Sequence, residues 1–339
     1  MRAWPRRTPA TAAVAVLLVS TMVLEVAGCQ APVRATVSRV SQPRGQTVSE
    51  PESRQPLPRS GQAQVLELLM RSISSSKVPV ELSRIPVELT NFGLGGLEGV
   101  RERVGKATGA AAVRGASLAV AIMDRATHRL ITNGNDQIIT TASVAKLFIA
   151  DDLLFKESQG RTVLTKQDRR ALHAMLRSSD DNAAAWFWAR NGGDAIITRV
   201  AKRYGLKSTT PPGDGQWWNT ITSTTDLIHY YESLLDGTGG LPADRASLIL
   251  SDLAKSTATG ADGYPQRFGI PEGLYAEPVA VKQGWMCCIG PAWMHLSTGV
   301  IGADRRYIMV IESLQSSDEA TARKTITRAV KTIFPNGRI

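Results

Sequence analysis

The residues of this chain best suited to nucleophilic catalysis are a serine and a lysine three positions apart, Ser143 and Lys146. They occur in TTASVAKLFIADDLL, where the apolar residues have helical periodicity, and positions i and i+3 share one face of a helix. A serine hydroxyl is a weak nucleophile at neutral pH, and a lysine with a lowered pKa can accept its proton. The alternative is that Thr140, Thr141 or Ser143 caps the helix while Lys146 faces solvent. Because SSSK at 74–77 has the same spacing, the spacing alone does not decide.

Two further segments carry polar groups that a Ser-Lys pair would need. VAVKQGWM places Lys282 and Gly284 on a predicted strand, where a glycine lets a substrate backbone lie close and a lysine meets a carboxylate. RSSDDNAA places Ser179 and Asn182 at the junction of two predicted helices, where a polar loop can face a cleft. Capping of the following helix is the alternative interpretation of Ser179.

The predicted elements place these segments around one cleft. A helix at 94–112 precedes a hairpin formed by ASLAVAIMD and RATHRLITNG. Helical periodicity extends from Ser143 to about Lys255, and three strands and a last helix follow. Because a two-stranded hairpin is not stable alone, strands from both ends must share a sheet. We predict an α+β fold with an antiparallel sheet of about five strands, flanked by N- and C-terminal helices, and an inserted all-helical subdomain at about 143–255.

The N-terminus has the features of an exported protein. Arg2, Arg6 and Arg7 precede the apolar stretch TAAVAVLLVSTMVL, and LEVAGC resembles a bacterial lipobox. That resemblance implies cleavage before Cys29, lipid on this cysteine, and a location on the extracytoplasmic face of the cell membrane. An ordinary secretory peptide is the alternative. We predict a signal peptide at 1–28, a flexible tether at 29–62, an N-terminal extension at 63–93 and the globular domain at 94–339.

Composition narrows the range of partners. The 339 residues carry a formal charge of +10, but the basic residues are scattered, which argues against a nucleic-acid platform. The four histidines are far apart and the cysteines lack metal-ligand spacing, so no metal or cofactor is expected. Adjacent Cys287 and Cys288 are interpreted as two thiols on opposite faces of a strand, with a vicinal disulfide as the alternative.

Taken together, the motifs and their order resemble the penicillin-binding proteins and class A β-lactamases, the penicillin-recognising serine enzymes. The resemblance covers about residues 94–335, and the lipobox, tether and alanine-rich composition resemble an actinobacterial lipoprotein. It implies Ser143 as the acylated nucleophile, Lys146 as base, and Lys282-Gln283-Gly284 as the Lys-Thr/Ser-Gly motif. It also implies that backbone amides of Ser143 and Trp285 form the oxyanion hole.

The chain departs from the family in three places. The family's Ser-Asp-Asn motif can be matched in two ways. An ungapped match on Ser179 places Asp181 where the family has asparagine. A match on Asn182 places Asp180 where the family has serine. Gln283 removes the hydroxyl that the family uses to bind the substrate carboxylate. No glutamate occurs between Ala183 and Tyr231, where class A β-lactamases keep their deacylating base.

These features support two hypotheses. The first is a lipid-anchored serine hydrolase or acyl-transferring protein that acts on peptidoglycan peptide or a β-lactam and is a poor β-lactamase. The second is an inactive β-lactamase-like lipoprotein that binds cell-wall components or a protein partner. In either case the lipid on Cys29 would attach the chain to the bacterial membrane.

Overall fold

The computed structural model describes Leu97 and residues 99–339, apart from the side chain of Cys288. The predicted signal peptide, tether and extension, and with them Cys29, lie outside the described residues. Within the described part, no helix is long and apolar enough to cross a membrane.

The described residues form seven strands and nine α-helices. The strands are β1 (Ala116–Asp124), β2 (Arg129–Thr132), β3 (Ile139–Thr140), β4 (Ile221–Thr222), β5 (Val279–Ile289), β6 (Ala292–Ile301) and β7 (Tyr307–Gln315). The helices are α1 (Val100–Ala112), α2 (Ala145–Ser158), α3 (Lys166–Arg177), α4 (Asp181–Asn191), α5 (Ala195–Tyr204), α6 (Thr224–Asp236), α7 (Ala243–Leu253), α8 (Ile270–Gly273) and α9 (Glu319–Ile333).

One antiparallel sheet contains strands from both ends of the described chain. Its order is β2-β1-β7-β6-β5, so the C-terminal strand β7 lies beside the first strand. The strands β5 and β6 form a long hairpin that ends in an irregular register between Met286 and Ile289. The predicted α+β fold and five-stranded sheet are confirmed, and β5 is an edge strand that faces the helical subdomain.

The two faces of the sheet pack against different helices. On β7, Met309 and Ile311 belong to a core shared with α1 and α9, whereas Ile308 and Val310 belong to the core of the helical subdomain. This alternation follows from the two-residue period of a strand. Burying each such aliphatic side chain stabilises the fold by about 2 kcal/mol, and both layers together fix the position of the sheet edge.

Helix α2 is buried through most of its length, although its sequence contains two adjacent aspartates. Asp151 accepts a hydrogen bond of 2.5 Å from Tyr204 and pairs with Arg203. Asp152 pairs with Arg199 through bonds of 2.8 and 2.7 Å. Because buried charges are tolerated only when paired, these contacts tie α2 to α5.

A small second sheet, absent from our prediction, lies at the start of α2. Strand β3 pairs with β4, and the Thr141 amide donates to the Thr220 carbonyl at 2.8 Å. The next residues, Ala142–Val144, form a 3₁₀ turn that leads directly into α2. The turn that carries Ser143 is therefore held at both of its ends.

Candidate active site

The side chains of Ser143 and Lys146 meet at the start of α2. The Lys146 ammonium donates to Ser143 Oγ at 2.7 Å, and Lys146 is fully buried. Neither Thr141 nor Val144, the residues that precede the 3₁₀ turn and α2, makes a side-chain capping bond. The structure therefore does not support the interpretation of this segment as a capped helix with a solvent-facing lysine.

Ser179 lies between the two lysines of the site. Its Oγ accepts from Lys146 Nζ at 3.0 Å and from Lys282 Nζ at 2.9 Å. Its carbonyl also accepts a hydrogen bond from Lys146 at 2.7 Å. Its backbone has a φ of 55°, which a non-glycine residue adopts infrequently. Asp180, whose side chain accepts from the Ala183 amide at 2.9 Å, is the residue that caps α4. The helix-cap interpretation of Ser179 is therefore not supported.

The geometry also distinguishes the two matches to the Ser-Asp-Asn motif. Asp181 Oδ1 lies 2.5 Å from Lys146 Nζ. Asn182 lies exposed in the first turn of α4. The two polar residues of the ungapped match, Ser179 and Asp181, therefore both contact Lys146, whereas Asn182 does not.

Lys282 occupies a different environment from the one its motif indicates. It is 1% exposed and donates to the Gln283 carbonyl at 3.0 Å as well as to Ser179. Burial, reinforced by the charge of Lys146, holds its pKa well below the usual lysine value. In the structure the Lys282 ammonium is thus engaged by Ser179 and the Gln283 carbonyl, and its expected contact with a substrate carboxylate stays a prediction.

The pKa of Lys146 is lowered as well. Burial is the main cause, and the neighbouring carboxylate of Asp181 acts in the opposite direction. Desolvation penalises the ammonium form, so a fraction of neutral amine is available at lower pH than in a free lysine. A neutral amine 2.7 Å from a serine hydroxyl can accept its proton.

The edge of β5 packs directly against the turn that carries Ser143. A Cβ added to Gly284 would lie 2.6 Å from the Thr141 carbonyl oxygen and 3.4 Å from the Ala142 side chain. Only glycine permits this approach, which brings the backbone of Trp285 next to the turn that carries Ser143. The oxyanion-binding role of the Ser143 and Trp285 amides stays a prediction.

The Gln283 amide is used inside the fold. Its Nε2 donates to the Phe268 carbonyl at 2.6 Å and to the Gln266 carbonyl at 3.1 Å. The side chain is 1% exposed, so it anchors the segment before α8 and does not offer a donor to the cleft.

Aromatic and acidic side chains surround the serine. The cleft has a volume of about 450 Å³ and is lined by Ala142, Ser143, Asp181, Trp217, Trp218, Asp262, Tyr264, Trp285, Met286, Cys287 and Trp293. Tyr264 stacks on Trp285 with ring centroids 4.6 Å apart. The sequence analysis did not identify Asp262 and Tyr264, which lie in the turn-like stretch GADGYPQ.

The loop before β4 places an indole over Lys146. The Trp217 ring centroid is 4.6 Å from Lys146 Nζ. Asp214, the acidic residue of that loop, instead accepts from the Gln216 amide and the Asn219 side chain. Trp186 and Trp188 differ in burial, with Trp188 buried and Trp186 51% exposed.

The remaining expectations concern cysteines and metals. Cys287 takes part in a disulfide, so its interpretation as a free thiol is wrong. Within the described residues, no group of three or more His, Cys, Asp or Glu side chains is arranged to hold a metal ion.

Solved structures with this architecture show which fold the chain adopts. A β-lactamase from Chitinophaga pinensis superposes with a TM-score of 0.56 at 16% identity, over 70% of this chain and 98% of that one. A PBP-A mutant in an acyl-enzyme complex with penicillin G gives 0.58 at 16% identity, over 69% and 95%. At such identities the likeness concerns the fold, which is that of the penicillin-recognising serine enzymes.

Full-length relatives identify the family. The lipoproteins named LppW from Mycobacterium tuberculosis and Mycobacterium bovis are each 58% identical over 338 residues, covering 98% of this chain and 100% of theirs. The chain belongs to the LppW lipoprotein family. No family model matches it.

Proposed function

We propose that this protein is a serine acyl-transferring enzyme or hydrolase that uses Ser143 as nucleophile and Lys146 as base. The observation that carries the proposal is the fully buried Lys146 amine, which lies 2.7 Å from Ser143 Oγ. The wall-peptide amide or β-lactam carbonyl would enter the aromatic cleft, and the backbone amides of Ser143 and Trp285 would bind its oxygen.

The hydrogen bonds that join Ser143, Lys146 and Ser179 give the route of the proton during acylation. Neutral Lys146 takes the proton of Ser143 while Oγ forms a bond to the carbonyl carbon. The bond to the leaving group then breaks, and its nitrogen receives a proton from Ser179, which regains one from Lys146 across 3.0 Å. Lys282, 2.9 Å from the same oxygen, holds Ser179 in place and acts as a positioning residue.

Deacylation is expected to be slow. The chain has no glutamate between Ala183 and Tyr231, and Trp217 covers Lys146 from the side of that loop. A chromogenic cephalosporin should therefore give a burst of about one equivalent followed by turnover below about 1 per second. Sustained turnover at about 1–1000 per second would refute slow deacylation, and the absence of any burst would count against the enzyme.

The second candidate function is a non-catalytic cleft that binds wall components or a protein. It is favoured by the ion pair between Asp181 and Lys146, which opposes the neutral form of the base. On this hypothesis the cleft binds wall fragments, yet Ser143 is never modified.

We further propose that the mature chain begins at Cys29 and is held on the extracytoplasmic face of the membrane by lipid on that residue. Support comes from the lipobox-like LEVAGC and from the lipoprotein name of the relatives. Cys29→Ala should leave the precursor uncleaved or release the protein from the detergent phase on Triton X-114 partitioning. A mutant that is processed and still partitions into detergent would contradict lipidation at Cys29.

A further inference from the structure

Asp181 combines contact with the catalytic lysine and access to the cleft. Its side chain is 64% exposed, whereas Lys146, 2.5 Å away, is fully buried. Because Ser143 Oγ and Asp181 Oδ1 both hydrogen-bond the same nitrogen, they lie within roughly 5 Å of each other. A water molecule between them would be within reach of both the carboxylate and an acyl carbon on Ser143.

The other carboxylates near the site are occupied or more distant. Asp180 caps α4, and Asp214 organises its own loop. Asp262 accepts from the Tyr264 amide and affects Lys146 through its charge, with no hydrogen bond to it among the described contacts. Asp181 is therefore the carboxylate that both lines the cleft and bonds the base.

We propose that Asp181 is the base that activates water for deacylation, an inference that rests on the proposed acylation of Ser143. Asp181 takes a proton from water as the hydroxide oxygen bonds to the acyl carbon. The bond between that carbon and Ser143 Oγ then breaks. Asp181 returns its proton to neutral Lys146, and Lys146 passes a proton on to Oγ, which restores all three groups and releases the carboxylic acid.

The same contact explains why this base works slowly. One oxygen of Asp181 is engaged by Lys146 at 2.5 Å, so the carboxylate is a weaker acceptor for water than a free one. It also favours the ammonium form of Lys146, which reduces the fraction able to activate Ser143. Replacing Asp181 by asparagine should therefore speed acylation and slow deacylation, two opposite effects from one substitution.

The test is a time course of intact mass after a short exposure to penicillin G. In Asp181→Asn the acyl adduct should persist about 100-fold longer than in the wild type, and the pH midpoint of its acylation should be lower. In Asp181→Ala, formate should restore part of the lost deacylation. Asp194→Asn, an exposed aspartate at the start of α5 that makes no capping bond, is the matched control.

The outcomes distinguish a failure of the proposed role of Asp181 from a failure of the proposed acylation of Ser143. Adducts with equal lifetimes in the wild type and Asp181→Asn would overturn the role of Asp181 and leave the proposed function standing. An adduct in the wild type but none in a folded Asp181→Asn would assign Asp181 to acylation and overturn its role in deacylation. No adduct in any variant would overturn the proposed function, and the role of Asp181 with it.

Discussion

Lys146→Met is expected to lower the rate of Ser143 acylation by about 10²- to 10⁴-fold, the usual contribution of a general base. The side chain of methionine fills a similar volume in this fully buried position but cannot accept a proton. In the wild type the rate should rise with pH through an apparent pKa below the usual lysine value of 10.5, because burial disfavours the ammonium. The measurement is the pH profile of modification by p-nitrophenyl acetate.

A second lysine on the same helix provides the control. Lys156 pairs with Asp152 at 3.1 Å, far along α2 from the cleft, so Lys156→Met should leave the acylation rate within about twofold. Thermal unfolding of both variants would verify that they are folded. If Lys146→Met is folded and reacts at the wild-type rate, with the same pH profile, then Lys146 is not the base.

Gly284→Ala is expected to reduce acylation by about 10- to 10³-fold, comparable to the loss of one oxyanion-hole donor. The new Cβ would lie 2.6 Å from the Thr141 carbonyl oxygen, so β5 must move away from the turn of Ser143. Such overpacking should also lower the free energy of unfolding by about 1–3 kcal/mol. Burst kinetics and chemical denaturation measure the two effects separately.

The matched control is Gly109→Ala in α1. A Cβ at Gly109 meets no atom within 4 Å, so the same substitution should stabilise the helix by about 0.5–1 kcal/mol and leave acylation unchanged. Wild-type acylation in a stable Gly284→Ala variant would contradict the role of the strand edge.

The features that sequence reasoning predicted depend on local periodicity and chain order. The i, i+3 spacing of Ser143 and Lys146 brings their side chains together on any helix, and the order of the strands requires a shared sheet. Gly284 was expected to let a substrate backbone lie close to the strand, whereas in the structure its missing Cβ makes room for the Thr141 carbonyl of the chain itself.

The features that escaped prediction depend on tertiary contacts. The full burial of Lys282 and the inward turn of Gln283 follow from packing against segments more than ten residues away in sequence. Strands β3 and β4 contain only two residues each and come from distant segments of the chain. Because two residues are too few to show the alternation of a strand, this pairing was not predicted. The position of Trp217 over Lys146 depends on a loop whose path no local pattern determines.

The role of Ser143 as a nucleophile is tested most directly by mass spectrometry of the protein after incubation with a fluorescent penicillin. We expect a single adduct of one equivalent, mapped by tandem mass spectrometry of the proteolytic peptides to Ser143 and absent from Ser143→Ala. No adduct on the wild type after long exposure, or the same adduct on Ser143→Ala, would contradict it.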